Sequence, residues 1–181
     1  MRKERPAAPG CRTDSHAMIR VDQAGEYGAV RIYAGQLAVF GTRNSKAADA
    51  IRHMAAQEDA HLARFNTLIA ERGVRPTALQ PVWQVAGFAL GAATALLGER
   101  TAMACTEAVE AVIDRHYADQ IAALGTSDPA LKETIEQFRA DEIAHHDAAI
   151  AHGSEKAIAH PLLTAAIKQG CKLAIALSTK I

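Results

Sequence analysis

Two four-residue stretches decide how this chain folds: Glu58-Asp59-Ala60-His61 and Glu142-Ile143-Ala144-His145. Residues three apart share one face of a helix, so each stretch aims a carboxylate and an imidazole at a common point. Each also has an acidic companion upstream, Glu26 before the first and Glu110 before the second, and both intervals are 32 residues. A repeated helix pair with that ligand set is what a di-metal carboxylate site inside a four-helix bundle requires.

The sequence around each ligand supports helices. From about Asp14 to Phe40, Ile19, Val30, Tyr33, Leu37 and Phe40 recur at helical steps, with Glu26 in their seam. Gly41–Ser45 forms a turn with Ser45 as N-cap of a second helix, about Lys46 to Arg72, ended by Gly73. Its seam reads Ile51, Met54, Glu58, His61, Phe65, Leu68. A third helix, about Thr101 to Leu124, carries Met103, Thr106, Glu110, Ile113, Tyr117, Ile121 and Leu124. Gly125 ends it, and Ser127 or Asp128 with Pro129 opens a fourth, reading Leu131, Ile135, Phe138, Glu142, His145, Ala149, His152. Acids and histidines thus occupy core positions. Burying a carboxylate without a partner costs several kcal/mol or forces a pKa shift, so these seams call for cations.

The bulk properties narrow the class. A chain of 181 residues suits one domain. With 49% hydrophobic but only 4% aromatic residues, the core is built of Ala, Leu, Ile and Val, which favours packed helices over a β-sandwich. Twenty basic residues balance twenty acidic ones, so no global field points to nucleic acid. Cys11, Cys105 and Cys171 are widely spaced and form no CxxC, which removes zinc-ribbon and rubredoxin-like sites. Arg2, Lys3, Arg5 and Arg12 precede no apolar stretch of a secretory signal, so residues 1–13 are read as a disordered arm and 14–181 as the single domain.

No charge occurs between Arg75 and Glu99, and Pro81–Leu97 (PVWQVAGFALGAATALL) is a predicted helix. A span would place Glu26, Glu58 and His61 on one side of a membrane and Glu110, Glu142 and His145 on the other. The segment is therefore expected to cross along the bundle and offer an apolar face to a membrane interface. A fifth bundle-associated helix, about His160 to Ser178, is expected to dock or share that surface, with Lys168, Lys172 and Lys180 beside its apolar residues.

Four glutamates balance two divalent ions, and oxygen-rich ligation with one imidazole per ion suits iron or manganese. By analogy with such sites, Glu58 and Glu142 bridge the ions. Glu26 and His61 complete one position, and Glu110 and His145 the other. Other residues receive plainer readings. His146 should leave the seam; His16, His53 and His160 are read as lone and solvent-facing, and His152 as a helix-end residue. Tyr33 and Tyr117 are core aromatics, with a substrate-lining or electron-relay role as the alternative for Tyr117. Asp22 and Asp114 are candidates to hydrogen-bond the ligands. The Gly87-x-x-x-Gly91 spacing would allow close helix contact, but it discriminates poorly in an Ala/Gly-rich stretch.

The stretches MIRVDQAGEYGAVRIYAGQLAVF (Met18–Phe40), GFALGAATALLG (Gly87–Gly98), AMACTEAVE (Ala102–Glu110) and DEIAHHD (Asp141–Asp147) resemble the demethoxyubiquinone hydroxylase family. The resemblance covers the chain from Met18 onward, and all six ligand positions match. It implies an all-α, ferritin-like four-helix bundle with a hydrophobic crossover helix and an additional C-terminal helix. It also implies two iron ions: iron 1 on Glu26, Glu58, His61 and Glu142, and iron 2 on Glu58, Glu110, Glu142 and His145. The activity implied is hydroxylation of a demethoxyubiquinol ring with O2, the substrate being a polyprenyl quinol. The enzyme would be peripheral, and the arm looks bacterial beside mitochondrial transit sequences, so the cytoplasmic face of the bacterial inner membrane is the expected location. A second copy of the chain or a lipid-binding helper protein is a further class of partner. Ferroxidase or iron-storage function, peroxide scavenging on manganese, and a non-enzymatic membrane-docking module are the competing readings. The last leaves six polar groups in apolar seams unexplained.

Overall fold

In the computed structural model, residues 9–181 are described, with side chains from Ser15 onward. Six helices follow in order: α1 (Pro9–Phe40), α2 (Lys46–Arg72), α3 (Gln80–Leu96), α4 (Glu99–Leu124), α5 (Pro129–Ala151) and α6 (His160–Ser178). A 3-10 turn at Ser154–Lys156 precedes α6, and no strand occurs among the described residues. Helix α1 begins five residues before the predicted Asp14, and residues 1–8 of the predicted arm lie outside the described residues.

Local chemistry sets the helix ends. The Ser45 side chain accepts from the Ala48 N–H at 3.1 Å, and Asp128 does the same for Leu131 at 3.2 Å. Ser127 instead turns its hydroxyl back to the Leu124 carbonyl, so Asp128 is the cap. Gly73 closes α2 with φ 62°, a left-handed geometry that a side chain disfavours.

The six helices form two matched halves. Short turns make antiparallel hairpins of α1–α2 and α4–α5, while α3 packs along α1 and α6 along α4. An offset of 84 residues relates the halves: Glu26 to Glu110, Glu58 to Glu142, and His61 to His145. The C-terminal helix is therefore the counterpart of the crossover helix, a relation the apolar patterning did not reveal. Helix α1 is buried on two sides because α3 covers the face turned away from α2. Hence Val21, Ala24, Ala29 and Ile32 are buried outside the predicted seam.

Glycines set how closely α3 approaches α1. A Cβ on Gly91 would collide with the Ile32 carbonyl, lying 2.8 Å from its carbon; one on Gly35 would lie 2.8 Å from the Ala92 nitrogen. One on Gly87 would lie 3.0 Å from the Gly28 oxygen. The Gly87–Gly91 pair thus makes the close helix contact its spacing allows, backbone to backbone against α1. No described helix is long and apolar enough to cross a membrane.

Candidate metal centre

Four helices each bring a buried glutamate to the centre of the bundle. Glu26, Glu58, Glu110 and Glu142 are at most 1% exposed, and His61 and His145 are 2% exposed. Two overlapping groups result, Glu26–Glu58–His61–Glu142 and Glu58–Glu110–Glu142–His145, with candidate ligand atoms within 4.8 Å of one another in each. Glu58 and Glu142 belong to both groups. All six residues named from the sequence therefore meet at one place.

The residues fit a pair of metal ions on their unpaired atoms. Eight buried atoms of this cluster have no hydrogen-bond partner: Glu26 Oε2, both oxygens of Glu58, Glu110 Oε2, both oxygens of Glu142, and Nδ1 of His61 and His145. Buried polar atoms are ordinarily paired, so a concentration of orphans facing one point marks a place for cations. The imidazoles are oriented to match. Nε2 of His61 lies 3.1 Å from Asp141 Oδ2, and Nε2 of His145 lies 3.1 Å from Gln57 Oε1. With Nε2–H donating outward, each Nδ1 faces the carboxylates and would offer its lone pair to a cation set among them. The Gln57 amide also donates to Asp141 Oδ1 at 3.3 Å, linking the two acceptors. Phe138 stacks on the His61 ring at 3.9 Å.

Electrostatics agree with a cation site. Burial, then the charges of Glu142 and Glu26, push the Glu58 carboxyl well above the carboxylate range; burial and Glu142 do the same to Glu110. Burial alone would lower His61, but Glu142 and Glu26 outweigh it and raise the imidazole to about 10. Burial also opposes ionisation of Glu142, yet the facing imidazoles of His145 and His61 hold it down at about 2. Two divalent ions would balance these carboxylates.

Two tyrosines complete the polar shell, each reaching into the other half. Tyr33 of α1 donates to Glu110 Oε1 of α4 at 2.7 Å, and Tyr117 of α4 donates to Glu26 Oε1 of α1. Burial and the nearby carboxylates raise both phenols well above their ordinary value, so both remain donors. Their placement was legible, since each tyrosine follows a ligand glutamate of its own helix by seven residues. The sequence pattern places them in the core but does not disclose the hydroxyls' partners.

Other expectations are corrected. Asp22 accepts from His116 at 3.0 Å and Gln120 at 2.7 Å, and Asp114 from Arg139 at 2.7 Å, so neither reaches a ligand. Side chains of α4 and α5 meet these carboxylates first. His160 is not a lone solvent-facing residue: its Nε2 meets Glu107 Oε2 at 2.8 Å, joining α6 to α4. His152 caps α5 as expected.

Beside the centre lies a cavity of about 600 Å³ between α1, α3, α4 and α6. Its wall includes Gly25, Gly28, Trp83, Val109, Ile113 and Ile167, with no charged residue among those lining it. Gly25 immediately precedes Glu26, and Val109 immediately precedes Glu110, so the inner wall runs along the ligand-bearing turns. No pattern along the chain signals this space, because it forms only where the two halves meet.

Comparison with known proteins agrees with this geometry. The profile of the family described as "Ubiquinone biosynthesis protein COQ7" matches residues 13–178. The 3-demethoxyubiquinol 3-hydroxylase of Rhodospirillum rubrum is 56% identical over 163 residues, covering 90% of this chain and 76% of that protein. The mouse protein named NADPH-dependent 3-demethoxyubiquinone 3-hydroxylase, mitochondrial, is 52% identical over 167 residues, covering 90% and 76%. The yeast (Saccharomyces cerevisiae) 5-demethoxyubiquinone hydroxylase, mitochondrial, is 43% identical over 190 residues, covering 93% and 82%.

Proposed function

Since the chain belongs to the COQ7 family of ubiquinone biosynthesis proteins, we propose that it is a di-iron monooxygenase that hydroxylates the ring of a demethoxyubiquinol with O2. The observation that carries the reading is the pair of overlapping Glu/His groups, with eight unpaired buried atoms, beside a cavity without charge. Iron 1 is assigned to Glu26, Glu58, His61 and Glu142, and iron 2 to Glu58, Glu110, Glu142 and His145. Glu58 and Glu142 would be shared between the two ions, since each belongs to both groups. Bound there, two iron ions supply the redox chemistry that activates O2. One oxygen atom goes onto the ring carbon in place of hydrogen, and the other leaves as water with two electrons and two protons from a reductant.

The chain's own residues do the rest. The cavity takes the quinol, and Gly25 and Gly28 leave room on its wall, since a Cβ on either would meet nothing within 4 Å. Val109 and Ile113 present a dry surface on the helix that carries Glu110, which keeps bulk water from the reacting ring. Tyr33 and Tyr117 hold Glu110 and Glu26 in place through their hydroxyls.

A polyprenyl quinol partitions into lipid, so the enzyme is proposed to act peripherally at a membrane surface, on the cytoplasmic face in a bacterium. Val85, Leu96 and Leu97 around α3, with Leu162 and Leu173 on α6, are 60–75% exposed beside the cavity's two outer helices. That apolar surface supports contact with lipid; a second copy or a lipid-binding helper protein is proposed as a further partner of the same face.

The test is to reduce the iron-loaded protein anaerobically, add a demethoxyquinol, admit isotopically labelled O2 and measure the quinone mass. A product carrying one labelled oxygen is expected. Unchanged quinone beside oxidised iron would overturn the hydroxylase reading in favour of ferroxidase chemistry.

A further inference from the structure

The polar groups that touch the six candidate ligands repeat faithfully between the halves, with one exception. Tyr33 matches Tyr117, and the four glutamates and two histidines pair off at the same 84-residue offset. Positions 57 and 141 correspond in the same way, each immediately preceding a ligand glutamate, yet one is Gln and the other Asp. Their roles are alike, because each accepts the Nε2–H of the opposite half's histidine at 3.1 Å. One histidine is thus backed by a carboxylate and the other by a neutral amide.

We propose that the two metal positions are unequal, the one served by His61 filling first and holding its ion more tightly because Asp141 backs its imidazole. This rests on the reading of the six residues as ligands to two ions. A carboxylate draws the Nε2 proton more strongly than an amide oxygen, which leaves Nδ1 the better electron donor. It also adds a negative charge one imidazole away from the ion. Asp141 is held in place for this role, since its second oxygen accepts from the Gln57 amide at 3.3 Å. Its side chain is 35% exposed, so water weakens the effect without removing it. Gln57 therefore has two roles, backing His145 weakly and orienting the stronger acceptor of His61. Asp141 and Gln57 are positioning residues, acting on the ions through histidines.

The probe is Co(II), titrated into the metal-free chain and followed by d–d absorption and by the hyperfine-shifted imidazole N–H protons. In the unaltered chain, the first equivalent should bring up one imidazole N–H signal and the second equivalent the other. Asp141→Asn should weaken the first step by about 10–100-fold and move the first signal. Gln57→Glu should strengthen the second step and narrow the gap, which keeps the test decisive if Asp141→Asn does not fold. Two signals rising together from the first addition, or a gap unmoved by Gln57→Glu, would overturn the inference while leaving the site standing. Failure of the unaltered chain to take up Co(II) would instead overturn the ligand set itself.

Discussion

Replacing Gly91 by Ala tests whether the contact of α3 with α1 depends on a missing side chain. The added Cβ would collide with the Ile32 carbonyl and sit 2.8 Å from its carbon, about 0.6 Å inside the 3.4 Å of ordinary contact. The obstructing atoms are backbone of a buried helix, so relief requires α3 to withdraw from α1. Overpacking of this kind costs about 2–3 kcal/mol where nothing flexible can yield. Ala returns about 1 kcal/mol through its helix propensity. The net loss is about 1–2 kcal/mol, which for a chain of this size lowers Tm by about 2–8 °C. Gly170→Ala is the paired control: a Cβ there meets nothing within 4 Å in the middle of α6, so it should raise stability by about 0.5–1 kcal/mol. The assay is thermal unfolding by circular dichroism of both variants at one metal loading. A Gly91→Ala melting point equal to or above that of the unaltered chain would refute the close-approach argument.

Three further outcomes follow from the site and its surroundings. Tyr117→Phe leaves Glu26 without its buried donor and should weaken metal retention by about 10–100-fold in competition with a chelator, with Tyr33→Phe acting similarly through Glu110. Asp128→Ala should cost about 1–2 kcal/mol at pH 7, because Asp128 caps α5 and pairs with Arg72. That pairing holds the Asp128 carboxyl below its ordinary value, so its contribution is present above the unfolded pKa of about 3.9 and is lost as pH falls through the lower folded value. Urea unfolding of both proteins from pH 7 to 3 should therefore show the difference shrinking at the acid end. Val85→Glu with Leu162→Glu should cut co-sedimentation with phospholipid vesicles by tenfold or more, since insertion of each side chain is worth about 1.5–3 kcal/mol. The melting point should hold, because both side chains lie mostly in solvent.

Much of this structure was legible because the ligands interrupt an apolar period. In α2 every predicted seam residue from Ile51 to Leu68 is buried, and the helix bounds from Lys46 to Arg72 agree with the sequence reading. Ser45, Asp128 and the terminal glycines announce their helix ends through chemistry that needs no tertiary context. What escaped depends on partners distant in sequence. Tyr33 and Tyr117 look like ordinary core aromatics until the antiparallel halves bring each hydroxyl to the other's glutamate. Gln57 and Asp141 lie beside the seam, and only superposing the repeats shows that they play one role. His160 looked solitary because Glu107 is 53 residues away. The cavity was invisible for the same reason: four helices outline it, and no one of them encloses it.

The outward edges of His61 and His145 face Asp141 and Gln57 on α5 and α2, whereas the cavity opens among α1, α3, α4 and α6. The centre consequently has a wet side and an oily side. With a quinol in the cavity, protons would be exchanged with water through the partly exposed Asp141 without passing it, and the quinol would enter without dragging water along. A protein seated on lipid by α3 and α6 would leave its α2–α5 face turned to the aqueous phase, free to receive a reductant. Fuel and cargo would then never queue at the same entrance.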